Sequence, residues 1–356
     1  MTLYPRFLLA VFTACFLTAC AHMGPARLKA DQVDYTRALG MAKKRAILDS
    51  MVQLRFADAP SFLTVSQIIA AYTFDASAGA TLNAGSGSQP NYALANGSMS
   101  YSNHPTFTFT PTTGDAFAAA YIRPLAPALV LPLAQGGIPI DLLLRISAQS
   151  VNGLLNGTAL GGSRGAGTPG FFELLHAARR LQLAGELNVE LRNENGANHV
   201  FLVVTVSNDS SEPAGAASDR RLLQQLLHLP RDTGSYEVTY GQSAPSGRIA
   251  LLTRSVLGIL TDLGAQIDVP AASVANGATK PTVGLIGGET RPTIVVHSGP
   301  AAPDDAYVAI PYDGTAYWID RNDFDSKYAF TVVQDLMALA EADTSAKAPI
   351  VTIPAN

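Results

Sequence analysis

LNVELRNENGANHVFLVVTVS, residues 187–207, decides the fold class. Leu187–Arg192 and His199–Ser207 are strand-like runs, and Glu194-Asn195-Gly196 lies between them. Asn-Gly adopts the left-handed backbone that a tight antiparallel turn requires, so the stretch predicts a β-hairpin. Helical patterns flank it. Phe171–Leu183 comes before, with Arg179 and Arg180 on one side, and Arg220–Leu229 follows with a leucine face. Strands are expected at Tyr236–Tyr240 and Ile249–Thr253, then a helix to Leu263. Val283–Ile286, Thr293–His297 and Tyr307–Ile310 are further strand candidates. The last section reads as strand Tyr317–Asp320, an acidic turn, helix Phe324–Ala342 and a final strand Ile350–Ile353. Helices and strands alternate without βαβ spacing, which places the chain in the α+β class with largely antiparallel strands.

Before the hairpin the pattern is less regular. Asp31 suits the N-cap of an amphipathic helix running to Arg55, with Leu39, Ala42, Ala46, Ile47, Met51 and Leu54 at three- and four-residue spacing. Ala59-Pro60 stops it. Phe62–Phe74 fits helix or strand equally. Ala76–Ser100 is rich in Ala, Gly, Ser and Asn, reads as a disordered loop or as a long small-residue hairpin around Gly85–Gln89, and is expected to act as an interaction arm that orders on assembly. Tyr101–Thr110 alternates Thr106, Thr108 and Thr110 with Phe107 and Phe109, a half-buried strand. Four prolines, at 124, 127, 132 and 139, break the following apolar region into short helical pieces. Ile140–Leu155 fits a buried helix or a buried strand. Asn208–Ser218, polar and small, is the internal boundary if the body holds two domains.

The first residues set the compartment. Arg6 precedes an apolar run from Phe7 to Leu17, and Leu17-Thr18-Ala19-Cys20 closes it. Eleven apolar residues are too few for a bilayer span, which takes about 20, and match a secretory signal. The closing four residues resemble a bacterial lipobox. That resemblance implies removal of residues 1–19 and acylation of Cys20 as the new amino terminus. Ala21 after the cysteine implies the outer membrane. Residues 20–30 then form a short tether, and ten such residues span about 17–19 Å, which holds the body, residues 31–356, close to its bilayer. Cys15 leaves with the signal and Cys20 is consumed by lipid, so no thiol remains for disulfides, metal or nucleophilic chemistry.

Charge adds little. Residues 20–55 carry seven basic and three acidic side chains, while everything after Arg55 is net negative. No basic stripe crosses the body, which argues against nucleic acid as a partner. The basic segment beside the anchor is either a solvated helix face or a contact with anionic headgroups.

The six histidines show no helical metal spacing and no HExxH. No GxSxG elbow occurs, and Gly241-Gln242-Ser243-Ala244-Pro245 lacks the closing glycine. The glycine-rich run 161–167 lacks the Gly-Lys-Ser/Thr ending of a phosphate loop, so no cofactor is expected. In IDRNDFDSKYAF, Asp320, Asp323 and Asp325 suggest a calcium loop. Phe324, Asp325 and Thr331 occupy positions that need an oxygen ligand, glycine and glutamate. Helix capping accounts for these acids better. His104, Trp318, Asp320, Asp323 and Asp325 remain as candidates for a functional surface. Trp318 lies with Tyr312, Tyr317 and Tyr328 in an aromatic group suited to a glycan, a peptide or a packed corner.

The blocks VQLRFADAPSFLTVSQII, PTFTFTPTTGDAF, IPIDLLLRISAQSVNGL, AYWIDRNDFDSKYAF and APIVTIPA resemble an uncharacterised family of proteobacterial lipoproteins. The resemblance implies export and lipidation and supplies no catalytic residue. The expected role is a binding or scaffolding component of the envelope, attached to the bilayer through Cys20 and meeting an envelope protein or further copies of itself. The alternative is an envelope hydrolase whose site assembles only in three dimensions, around His104 or His297 with an acid and a serine.

Overall fold

The Leu187–Ser207 hairpin forms as expected and becomes the edge of a six-stranded sheet. β7 (Leu187–Glu194) pairs antiparallel with β8 (Ala197–Val204), from Leu187↔Val204 to Glu194↔Ala197, and Gly196 takes φ 80° in the turn. In a computed structural model, residues 25–345 are described apart from 70–71, 84–91, 104–105, 159–164, 195, 206–214, 232–233, 283–284 and 286–290. Cys20, His104 and the expected strand Ile350–Ile353 lie outside the described residues, as do most of 283–286. The described part is α+β.

The chain divides into two units, residues 1–60 with 115–356 and residues 61–114. The division therefore does not fall near 208–218. The helix beginning at Ala216 packs beside the one ending at Leu183 and shares an ion pair with it, Arg180 to Asp219 at 2.6 Å.

In the larger unit the sheet runs β6 (Leu154–Leu155), β5 (Ala148–Val151), β10 (Ile249–Thr253), β9 (Ser235–Tyr240), β8, β7. All neighbours are antiparallel except β9 and β10. Alternation puts Val189, Leu202, Val238 and Leu251 on the buried face. Three helices cover that face: α2 (Ile140–Ser147), α3 (Pro169–Leu183) and α4 (Ala216–Leu226). Leu144, Leu174, Ala178 and Leu223 meet Leu202, Val238 and Leu251 there. Ile140–Leu155 thus resolves its ambiguity by being both, a helix that turns directly into a strand.

A second sheet has three antiparallel strands, β11 (His297–Gly299), β13 (Thr315–Ile319) and β12 (Val308–Tyr312), in that order. Helix α1 (Pro25–Arg55), which begins six residues before Asp31, buries Ile47, Leu48, Met51 and Val52 against α5 (Val256–Ala265) and β12. The α1–α5 crossing is tight enough to require Gly264, since a Cβ there would meet the Met51 carbonyl oxygen at 2.6 Å. Helix α6 (Phe324–Ser345) buries Phe330, Val333 and Leu336. No described helix is long and apolar enough to cross a membrane.

Polar groups tie these layers together in the interior. Arg254, just after β10, forms a buried ion pair with Asp262 of α5 at 3.3 Å. Arg254 also donates to the carbonyls of Arg145, Ile146 and Gly157. Asp262 accepts from Thr158 at 2.7 Å. Asn156 joins the set by donating to the carbonyls of Arg145 and Ala148 and accepting from the Arg145 side chain.

The smaller unit is a ribbon. β1 (Leu63–Ile69) pairs antiparallel with β4 (Thr106–Pro111), with a register shift between Val65 and Gln67. β2 (Tyr72–Asn83) pairs with β3 (Tyr92–Asn103) over twelve positions from Tyr72↔Asn103 to Asn83↔Tyr92. The described residues 63–69 and 72–74 are therefore strand, and the described parts of 76–100 pair as the hairpin alternative expects, its turn Gly85–Gln89 lying outside the described residues.

Asp262→Ala leaves the Arg254 guanidinium buried without its carboxylate and is expected to cost about 3–5 kcal/mol. The double replacement Arg254→Met with Asp262→Leu should lie closer to the wild type, and urea unfolding of the three proteins checks both outcomes.

Candidate functional site

The N-terminus of α6 is built by its acidic turn. Asp323 stands immediately before the first helical residue, and its Oδ1 accepts from the backbone N–H of Ser326 at 3.1 Å. Capping is thus the role of Asp323. Ser326 is fully buried and its hydroxyl is committed: it donates to Asp323 Oδ2 at 2.6 Å and accepts from Arg291 and from the Val295 N–H, each at 2.8 Å. Arg291 closes the knot by donating to Asp323 at 2.6 Å and reaching Asp325 at 3.4 Å. Burial pushes the Asp323 carboxyl upward, but the bonds from Ser326 and Arg291 outweigh it and hold its pKa below the ordinary value.

This knot forms one wall of an open cleft of about 870 Å³. The other wall comes from α2 and α3, through Asp141, Arg145, Phe172, His176 and Arg179. Phe324 is the most solvent-exposed aromatic on the cleft, with relative accessibility 69%, and it stacks on Tyr328 one turn later with ring centroids 5.8 Å apart. Arg145, at the back, is buried and lies over the Phe172 ring at 6.0 Å. Arg179 is half-exposed and held by Gln182 at 2.7 Å and Asp141 at 3.9 Å. The cleft thus combines aromatic faces with guanidinium groups positioned by neighbouring acids and amides. That combination suits hydrogen bonding to carbonyl or carboxylate groups together with stacking.

Of the candidates expected from sequence, Asp325 lines this cleft, and Asp323 stands behind it as the partner of Arg291. Trp318 and Asp320 belong to a separate group on the three-stranded sheet. There the Trp318 indole N–H donates to Asp320 at 3.1 Å, and the His297 ring stacks on Trp318 with centroids 5.6 Å apart. His297 Nε2 lies 3.2 Å from the second Asp320 oxygen. The histidine and acid sought for a hydrolytic site therefore meet, on an exposed face. Among the described residues no serine hydroxyl bonds to that ring. Arg291, Phe324, Arg145, Arg179 and His176 were not singled out from sequence. The only signal for Phe324 was an aromatic interrupting a run of acids. No group of histidine, cysteine and acidic side chains among the described residues is arranged to hold a metal.

No family model, curated protein or solved structure matches the chain.

A carboxylate with a depressed pKa stabilises the fold fully above its unfolded value, about 3.9, and that contribution disappears as the pH falls through the folded value. Asp323, and Asp219 beside Arg180, are both in this condition. The unfolding free energy is therefore expected to drop on acidification below about pH 4. Asp323→Asn, which keeps the capping oxygen but loses the charge, should show a shallower acid limb in urea titrations between pH 7 and pH 3.

Proposed function

We propose that the chain is a lipoprotein anchored through acylated Cys20 at the periplasmic side of the outer membrane, where its body serves as a binding component that scaffolds an envelope assembly. The cleft carries the binding half of this reading. The cleft combines a stacked pair, exposed Phe324 on half-buried Tyr328, with Arg179 and Arg291, whose guanidinium groups are held by acids and retain further N–H donors. Such a surface fits a segment of polypeptide, whose carbonyl and carboxylate oxygens take the donors while its apolar side chains cover the rings. The anchor half is supported by Leu17-Thr18-Ala19-Cys20 and its position after an eleven-residue apolar run.

Palmitate fed to cells is expected to label the wild-type protein and leave Cys20→Ala unlabelled, with the variant leaving the membrane fraction. An unlabelled wild type would remove the anchor from the account.

Phe324→Ala removes an exposed ring and should change stability by no more than about 0.5 kcal/mol. Crosslinking in intact membranes should then lose, several-fold, a protein adduct that the wild type forms. Adducts unaffected by both Phe324→Ala and Tyr328→Ala would exclude the cleft as the binding surface.

A further inference from the structure

The β2–β3 ribbon divides its residues by face in an unusual way. Cross-strand partners in an antiparallel pair share a face, and alternate positions share it along each strand. One face therefore holds Phe74 with Tyr101, Ala76 with Met99, Ala78 with Gly97, Ala80 with Ala95, and Leu82 with Ala93. The other holds Thr73 with Ser102, Asp75 with Ser100, Ser77 with Ser98, Gly79 with Asn96, and Thr81 with Leu94. On this second face Thr73, Asp75, Ser77, Asn96 and Ser100 are exposed, and the Ser77 and Ser98 hydroxyls bond at 2.6 Å. By register, apolar pairs alternate over ten consecutive positions with pairs that carry a hydroxyl, amide or carboxylate group, exposed Leu94 beside Thr81 being the apolar exception in the second set, and such alternation is the pattern of a strand with lipid on one side and water on the other.

Three further observations point the same way. Asp75 is the only acidic or basic residue in the 54 of Ser61–Gly114, where the chain's 15% average would place about eight. Edge strands exposed to water are normally defended by lysine, charge or proline, and β2 and β3 carry none of these beyond Asp75. Among the described residues each strand has a single partner, so each presents an edge for further pairing. Finally, the length fits. Twelve residues extend about 40 Å, which at the 35–45° tilt of barrel strands crosses roughly 30 Å, the thickness of a bilayer's hydrocarbon.

We infer that the ribbon inserts into a lipid bilayer as one strand pair of a β-barrel assembled from several copies of this chain. Hydrocarbon cannot satisfy the backbone groups of an open edge, so a single ribbon cannot stay inserted alone. The neighbouring copy supplies the missing partner at each edge, and closure of the smallest barrels, about eight strands, takes about four copies. The apolar face with Ala76, Ala78 and Ala80 lies against lipid, and the Ser77–Ser98 face lines the interior. The inference rests on the reading of the chain as a membrane-bound envelope protein, and it names the partner as further copies of the chain.

Single cysteines test it in intact membranes with a water-soluble maleimide, with the wild type as the blank. Ser77→Cys and Gly79→Cys should label, whereas Ala78→Cys and Ala80→Cys should label only after denaturation. Gentle detergent extraction should yield a species of four or more copies. Ala78→Arg should disperse it while Ser77→Gln leaves it intact. Equal labelling at all four positions, or an alternating pattern in a protein that extracts as a monomer, would overturn the inference. Labelling of the wild type would report an unacylated Cys20 and so count against the anchor without touching the ribbon.

Discussion

Arg254 and Asp262 are the charges around which the larger unit closes. Bringing two ions into an interior costs several kcal/mol each, and their attraction offsets this only when the remaining donors and acceptors are also met. Here they are met by backbone. Arg254 reaches carbonyls at the end of α2 and at Gly157, and Asp262 takes the Thr158 hydroxyl. Four elements converge on one ion pair: the end of α2, the loop at 156–158, the end of β10 and the middle of α5. None can shift without leaving a buried donor or acceptor unsatisfied, at about 1–3 kcal/mol apiece. The same constraint reaches the cleft, because Arg145 contributes its carbonyl to Arg254 and its guanidinium to the cleft's back wall.

The opposite wall is set by a smaller polar lock. Asp323, Ser326 and Arg291 satisfy one another and also take the Val295 N–H, so the first turn of α6 is fastened to the segment that leads into β11. The lock commits the buried Ser326 hydroxyl completely, as a donor to Asp323 and as acceptor of two bonds. It also explains the exposure of Phe324. Once Asp323 is the cap and Ser326 points inward at the third position, the residue just after the cap faces outward by helical geometry. The ring is held out toward the cleft by the bonds that fix its neighbours.

Elements with strong local signals were legible in the sequence. The Asn195-Gly196 hairpin, the leucine-faced helix after it and the strand–acid–helix ending each follow from nearest-neighbour chemistry. Ile140–Leu155 was ambiguous because its apolar run serves two elements, a helix covering the sheet and a strand inside it. Its Asn-Gly, at 152–153, marks the turn between β5 and β6. Asn152 there takes φ 44° and bonds across to Ala250 and Leu227. The polar, small composition of 208–218 suggested a boundary, whereas the contacts set off residues 61–114. The Arg180–Asp219 pair spanning it was invisible without the fold. The cleft was illegible for the same reason, since Arg179, Arg291 and Phe324 are more than a hundred residues apart at the extremes.

The two units solve opposite problems with opposite residues. The larger one buries bulky side chains such as Phe171, Tyr236 and Phe330, and uses charge inside only where partners converge. The ribbon has few large side chains between Ala76 and Ser100, where alanine, serine, glycine and asparagine dominate. Two strands of such residues bury too little area to hold together in water by themselves, since isolated two-stranded ribbons are marginal even with better side chains. Twelve registered pairs therefore need an external source of order. In hydrocarbon the balance changes, because every unmade backbone bond becomes costly and small side chains no longer count against the strand. A segment that is poor as a water-exposed hairpin is thereby well suited to a bilayer, provided that copies of itself close its edges.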